Sequence, residues 1–252
     1  MSVCLTIDLA VPPPQKCGGL PAACAAAFAF ALTIVSHALK RPYGLFYRTT
    51  SRKLAPMTKG ERTRHELLTK AAGLFNQWGY EATSIGDVMA ATGLQKGGVY
   101  RHFESKEELA LAAFDFAVNL MRERFAEALR DVSAPRDRLR AIIRVYERIP
   151  VDPPVPGGCP VLNAAVEADD ANPALKARAL AVMDDLRRVI KRTVRAGQRS
   201  GHIRTEASAE VVASVFICTL EGAIMMSKLY ADQLHMKYAV RHLDQYVDAL
   251  AP

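Results

Sequence analysis

The sequence has few of the patterns that mark metal sites, disulfide frameworks and common catalytic motifs. Of its five cysteines, three lie within the first 24 residues, which leaves Cys159 and Cys218 in the rest of the chain. No cysteine or histidine spacing matches a zinc site, and the cysteines do not form a dense disulfide set. A phosphate-binding glycine loop is also lacking. We therefore expect no metal, no cofactor, no enzyme activity and a reducing, cytoplasmic environment.

Most of the chain also lacks an excess of positive charge. The formal net charge is +7, but residues 1–56 contain six basic side chains and one acidic side chain. The remaining 196 residues carry 27 basic and 25 acidic side chains. The net charge therefore does not identify a nucleic-acid-binding protein, and the case for one must come from local pattern.

Residues 1–56 differ in character from the residues that follow. Within them, residues 20–39 form an uncharged run that could just span a bilayer. A signal peptide is disfavoured because Asp8 precedes the first basic residue and three prolines follow at 12–14. The alternatives are a membrane tether, which is the less favoured, and a disordered or spurious extension with translation starting at Met57.

From Gly60 onward the apolar residues recur with the period of a helix, and no useful strand-like alternation is present. The sequence therefore predicts an all-α protein. Half of the residues are apolar, which is enough for a sizeable core. Helix starts are indicated by a capping box at Ser105 and by Asn172 followed by Pro173 at the first helical position.

Two short helices joined by a turn with a glycine are predicted at residues 84–103. Ser84 and Asp87 have the spacing of an N-cap and its N3 acid, and the second helix runs from about Gln95 to His102. This 20-residue layout is typical of a helix-turn-helix that binds DNA.

A small apolar core would fix the angle between these two helices. Its expected members are Ile85, Val88, Leu94, Val99 and Phe103, whereas the side chains expected outside are Lys96, Tyr100, Arg101 and His102. Gly97 and Gly98 each cost about 1 kcal/mol relative to alanine inside a helix. A close approach of this backbone to a phosphate or a groove wall would explain that cost, and a loop that tolerates glycine is the alternative.

Residues 60–106 resemble the DNA-binding domain of the tetracycline-repressor (TetR) family. The resemblance runs through AAGLFNQWGYEATSIGDVMAATGLQKGGVYRHFESKEEL and includes Gly79–Tyr80, Thr83–Ser84, Gly93, Lys96–Gly97, Tyr100, Phe103 and Lys106. It implies a three-helix DNA-binding domain at 57–106. It further implies an effector-binding and dimerisation body at 107–252, which we expect to contain about nine helices.

The function that the resemblance implies is a repressor that binds double-stranded operator DNA as a homodimer and dissociates when a small effector binds. The third helix would meet the major groove, and Thr83, Ser84 and Lys106 would hold phosphates. The predicted DNA-binding set is Thr83, Ser84, Gln95, Lys96, Gly97, Gly98, Tyr100, Arg101, His102 and Lys106. Gln95 departs from the family, which often has a serine or threonine N-cap there. Met89 and Thr92 replace residues that are usually small.

The segment 206–230 is apolar around most of its circumference, which is typical of a helix packed on two sides. The resemblance to the TetR family implies that it pairs with 233–250 and with the same two helices of a second protomer. The alternative is a central helix of a monomer.

Candidate effector-lining residues are apolar side chains of the body, and the alternative for each is plain core. They are Phe114, Leu120, Met121, Phe125, Ile143, Tyr146, Leu162, Val166 and Met183.

Cys159 lies at the start of a predicted helix, where the helix dipole would favour its thiolate and suit an electrophile or oxidant sensor. A small packing residue is the favoured alternative, and a nucleophile paired with His202 or His235 is the least favoured. Asn163 and Glu167, one helical turn apart, would orient a polar effector or lie in solvent.

Overall fold

The computed structural model describes residues 57–168 and 172–252, and every regular element in these ranges is an α-helix. The predictions for residues 1–56, including a membrane tether at 20–39, lie outside the described residues. The helices are α1 (Lys59–Trp78), α2 (Ile85–Thr92), α3 (Lys96–Tyr100), α4 (Lys106–Leu129), α5 (Pro135–Arg148), α6 (Pro160–Glu167), α7 (Pro173–Arg199), α8 (Ala209–Tyr230) and α9 (Leu234–Asp248).

The all-α prediction is confirmed, but the expected number of helices in the body is too high. Helices α1 to α3 are called the head below, and helices α4 to α9 are called the body. The described part of the body thus has six helices, and nine is the number for head and body together. The body needs fewer because α4, α7 and α8 run unbroken for 24, 27 and 22 residues.

The predicted helix starts are confirmed by their caps. The hydroxyl of Ser84 accepts a hydrogen bond from the Asp87 backbone, and the Asp87 carboxylate accepts one from the Ser84 backbone. The Ser105 hydroxyl caps α4 by accepting a hydrogen bond from the Glu108 N–H, but the Glu108 carboxylate accepts from the Glu104 N–H, so the predicted capping box is present only in part. The Asn172 side chain caps α7 by accepting a hydrogen bond from the Leu175 N–H. A further capping box begins α1 at Thr58, and the sequence analysis missed it. Each cap satisfies backbone donors that a helix start leaves without a partner.

The core is one continuous cluster that joins head and body. Helix α1 packs on α4, and in the body α8 lies between α7 and α9. Phe75, Phe114 and Phe216 are among the largest fully buried side chains of this cluster. Among the described helices, α8 alone is long and apolar enough to cross a bilayer, and here one of its faces is buried against other helices.

Candidate nucleic-acid interface and effector cavity

The helix-turn-helix predicted from the sequence is present as α2, a turn and α3. Gly93 adopts a left-handed conformation with φ of 70°, and its N–H donates to the carbonyl of Met89 at 2.9 Å. A left-handed residue of this kind ends a helix and favours glycine. Val88, Val99 and Phe103 are buried together, so the shared core that sets the angle between the helices is as predicted.

Helix α3 is shorter than predicted, with five residues instead of about eight. It begins at Lys96, because Gln95 occupies the N-cap position without making a side-chain hydrogen bond to the helix. The departure from the family pattern at Gln95 therefore does give a weaker helix start. Arg101 is the C-cap residue, and His102 lies beyond it.

The outer face of α3 is open. Gln95, Lys96, Gly97 and Arg101 are exposed, and the Tyr100 side chain is 40% exposed. The Lys96 ammonium lies 5.9 Å from the centroid of the Tyr100 ring. The predicted arrangement, with basic and aromatic groups projecting from the second helix, is therefore present.

The two glycines of α3 are not required by the packing of the protein itself. A Cβ atom at Gly97 would meet no atom within 4 Å, and one at Gly98 would make an ordinary contact with Leu94 at 3.5 Å. Intramolecular crowding thus explains neither glycine. This geometry favours the other explanation, in which the glycines let the backbone of α3 come close to a second molecule such as DNA.

The residues predicted to hold phosphates have different surroundings. Thr83 is fully buried, and its hydroxyl donates to the Gly79 carbonyl at 2.7 Å, so its predicted phosphate contact disagrees with its position. Ser84 is exposed, although its hydroxyl is engaged with Asp87. The Lys106 ammonium reaches the Glu81 carbonyl at 2.7 Å and lies beside the start of α2.

A cavity of about 840 Å³ lies between α4, α5, α6 and α7. Its wall includes five of the predicted effector-lining residues, which are Met121, Phe125, Tyr146, Cys159 and Met183. The rest of the wall is largely apolar, with charged groups that include Arg122, Arg138, Asp185 and Arg192. A concave, mainly apolar space with a few polar groups is the usual form of a small-molecule site.

The other predicted lining residues do not line this cavity. Phe114 and Ile143 are fully buried in the core, and Leu120 and Leu162 pack against the core from outside. Val166 points away from the core and is 75% exposed. The sequence could not separate these positions, because a helical period shows which residues are buried and does not show which of them border a space.

A buried carboxyl group behind the cavity wall was missed by the sequence analysis. Glu221 on α8 is only 6% exposed, and its Oε1 accepts hydrogen bonds from the Tyr146 hydroxyl at 3.1 Å and from the Cys159 thiol at 3.3 Å. Its Oε2 is buried without a partner. Burial raises the pKa of Glu221 from 4.5 to about 7. The signal in the sequence was an acidic residue inside an apolar helix.

The same cluster decides the chemistry of Cys159. Burial, and then the neighbouring Glu221 carboxylate, raise the pKa of this thiol well above its ordinary value. The prediction of a thiolate stabilised by the helix start is therefore wrong, because burial outweighs the helix dipole here. A packing residue that donates a hydrogen bond agrees with this position. Its polar partners are Glu221 and backbone groups, and neither His202 nor His235 is among them.

Asn163 and Glu167 lie at the junction of head and body. Glu167 accepts hydrogen bonds from the backbone of Tyr80 and Glu81, and Asn163 donates to Asn76 of α1. The expectation that these two side chains orient an effector is therefore wrong, and they are not free in solvent either.

Comparison with known proteins agrees with the geometry of both parts. The family model described as "Bacterial regulatory proteins, tetR family" matches residues 67–113, and "Tetracyclin repressor-like, C-terminal domain" matches residues 135–243. The crystal structure of a TetR transcriptional regulator from Chloroflexus aurantiacus is 46% identical, with a TM-score of 0.74. The match covers 76% of this chain and 97% of that one. The chain belongs to the TetR family.

Curated relatives of this TetR-family chain are named as transcriptional regulators. The HTH-type transcriptional repressor DhaR of Mycobacterium sp. (strain GP1) is 25% identical over 66% of this chain and 82% of its own length. The transcriptional regulator AcuR of Cereibacter sphaeroides is 27% identical over 68% and 80%. The chain is therefore a DNA-binding transcriptional regulator. No group of His, Cys, Asp and Glu suited to a metal ion occurs in the two ranges that the structure describes.

The raised pKa of Glu221 predicts a pH-dependent stability. An unfolded carboxyl ionises near pH 4.5 and the folded one near 7, so the folded state loses stability as the pH rises through this window. In Glu221→Gln this dependence is removed. At each pH the unfolding free energy of the variant is compared with that of the wild type. We expect this difference to shift in favour of the variant by roughly 2 to 3 kcal/mol between pH 5 and pH 8.

Denaturant unfolding at both pH values measures this difference. Glu206→Gln is the control, since that carboxylate is exposed and its pKa is lowered instead of raised. An equal stability difference between wild type and Glu221→Gln at both pH values would contradict the assignment.

Proposed function

We propose that this protein is a cytoplasmic, homodimeric repressor that binds operator DNA through α3 and leaves it when a small molecule enters the cavity. The observation that carries the proposal is the open face of α3, where Lys96, Tyr100 and Arg101 flank two glycines that the fold itself does not need. The side chains would contact base edges and phosphates, and the glycines would let the backbone come close. The proposal includes no catalytic activity.

A homodimer is supported by one face of α8. Val211, Cys218, Met225 and Leu229 lie along this face and are exposed, and Gly222 between them leaves room for a close helix contact. Helix α9 packs on α8 and also has exposed apolar side chains, which are Leu234 and Tyr238. A two-fold pairing through such a surface would place two α3 helices one DNA turn apart, about 34–36 Å.

Release of the DNA requires the effector to prefer one orientation of the heads over another. A shift from 99:1 to 1:99 in bound population needs about 5.5 kcal/mol of differential affinity. The cavity offers a mainly apolar wall for that purpose, and Tyr146 is one of the residues that line it. The name of the relative DhaR, which is a repressor, supports repression over activation.

Loss of either of two exposed α3 side chains is expected to weaken DNA binding. Lys96→Ala removes a cation and Tyr100→Ala removes an aromatic contact, and each should reduce operator affinity by about tenfold or more. The operator is first obtained by sequencing the genomic fragments that the wild-type protein selects. Fluorescence anisotropy with that fragment, at several salt concentrations, then gives the affinities and the salt dependence.

Arg199→Ala is the matched control, because it removes an exposed cation at the far end of α7 and should leave binding unchanged. Size-exclusion chromatography should show that all three variants keep the wild-type assembly. Wild-type affinity in both Lys96→Ala and Tyr100→Ala would contradict α3 as the reading helix.

Charge placed on the exposed face of α8 is expected to break the dimer. Met225→Glu combined with Leu229→Glu would bring four carboxylates together across a two-fold interface, and monomers should result. Analytical ultracentrifugation measures the change. Leu180→Glu on α7 is the control, because Leu180 is equally exposed but lies outside the proposed interface. A doubly substituted protein that is still fully dimeric would place the interface elsewhere.

A further inference from the structure

The cavity is long, and helices α4 and α7 form two of its walls. These helices run in the same direction, because the two ion pairs that connect them both join residues 63 positions apart in the chain. The pairs are Asp115–Arg178 and Arg122–Asp185. The α7 wall reaches from Val182 to Ala196, which is about 21 Å at 1.5 Å per residue. A ligand that fills the cavity is therefore elongated, and its two ends meet different surroundings.

Three arginines border the cavity where α4 ends and α5 begins. They are Arg130, Arg138 and Arg192, and we call this part of the cavity the cationic end. Arg138 lies there because its Nη1 donates to the carbonyl of Leu129 at 3.1 Å and to that of Val132 at 2.7 Å. Arg192 lies there because the spacing of the two ion pairs places it level with Leu129.

The cationic end has hydrogen-bond donors that the protein itself does not use. The Nη2 and Nε groups of Arg138 have no partner among the described residues, and within the same ranges the guanidinium groups of Arg130 and Arg192 have none either. Arg138 is half-buried and is held in place by the two carbonyls. A guanidinium fixed in this way, with N–H groups still free, is suited to the two oxygens of a carboxylate.

Away from the cationic end the wall is mainly apolar. It includes Val118, Met121, Phe125, Val182 and Met183. Tyr146 lies beside Phe125, with 5.8 Å between the ring centroids, and its hydroxyl donates to the buried Glu221. The Cys159 thiol donates to the same carboxyl oxygen. Both polar groups have thus given their protons to a partner inside the protein, so an apolar chain or ring fits this part of the cavity.

The acidic residues of the wall offer a cationic ligand no buried partner. Asp185 is buried, and both of its carboxylate oxygens are already engaged by arginines. Glu123 and Glu127 are exposed to solvent, where an ion pair contributes little. Glu221 lies behind Tyr146 and Cys159. The charges that a ligand can use inside the cavity are therefore those of the arginines.

We propose that the cavity binds an elongated amphipathic anion, with its carboxylate at Arg138 and Arg192 and its apolar part along the wall toward Tyr146. This assignment rests on the proposed function in one respect, since it takes the cavity as the effector site, and it adds the chemical class of the effector. A neutral or cationic molecule of the same length would bury the same apolar surface but would lack the charge-assisted hydrogen bonds.

Three probes with the same carbon chain separate the contribution of the head group from that of the chain. Near neutral pH decanoate is an anion, decanol is neutral and decylamine is a cation. Isothermal titration calorimetry with the purified full chain measures the affinity for each probe. We expect decanoate to bind about tenfold or more tightly than decanol, because hydrogen bonds to a charged group contribute more than neutral ones, and decylamine to bind most weakly.

Substitution of the arginines locates the head group. Arg192→Gln and Arg138→Gln should each lower the affinity for decanoate about tenfold and leave the affinity for decanol unchanged. Unchanged binding of decanol also shows that the cavity is intact, which matters for Arg138 because it holds two backbone carbonyls. Arg195→Gln is the matched control, since Arg195 lies one turn further along α7 and outside the cavity wall.

Four results would each overturn the assignment. They are equal affinity for the three probes, tighter binding of decylamine, no binding of decanoate, and a decanoate affinity that Arg192→Gln leaves unchanged or lowers no more than Arg195→Gln does. None of these measurements needs DNA. The proposed function is tested separately, by adding decanoate to the complex with the selected genomic fragment. A fragment that stays bound while decanoate occupies the cavity would contradict the proposed function, and the preference for an anionic head group would stand.

Discussion

Helix α3 is too short and too rich in glycine to be stable by itself, and this constraint governs the rest of the head. It has five residues, two of them glycine, and no side-chain cap at its start. An isolated helix of this length is unstable in water. Its position is therefore fixed from below, by Val99 and Phe103, which are buried in the core shared with α1 and α2. Packing thus supplies the order that local propensity does not, and the outer face of α3 stays exposed.

The head in turn depends on how it is held by the body. Apolar packing of α1 on α4 joins the two parts, but such packing is non-directional and allows small rotations. The hydrogen bonds of Asn163 and Glu167 to the head are directional. Each of them forms only when its donor in one part and its acceptor in the other are correctly aligned, so together they favour one orientation of the head. A regulator needs a junction with two discrete arrangements, and a small set of polar contacts between rigid helices is suited to that.

The body combines stability and function on one helix. One face of α8 is core, the opposite face is exposed and apolar, and Glu221 lies buried between them beside the cavity wall. Its carboxyl group costs stability near neutral pH, as its raised pKa indicates. A buried polar network of this kind is costly unless it is fully satisfied, and Oε2 of Glu221 is not. The packing of α8 therefore does not explain why a carboxyl group is buried at this position.

The sequence by itself determined the helices, their caps and the helix-turn-helix, because these depend on residues three or four positions apart. Ser84 with Asp87, Gly93 and the buried Val99 are all readable from such spacing. Only the tertiary structure decided the burial of Thr83, the raised pKa of Cys159 and the junction role of Glu167. Those properties arise from partners far along the chain, such as Tyr80, which lies 87 residues before Glu167. A local sequence pattern cannot show which distant residue becomes a partner, because such residues meet only when whole helices pack together.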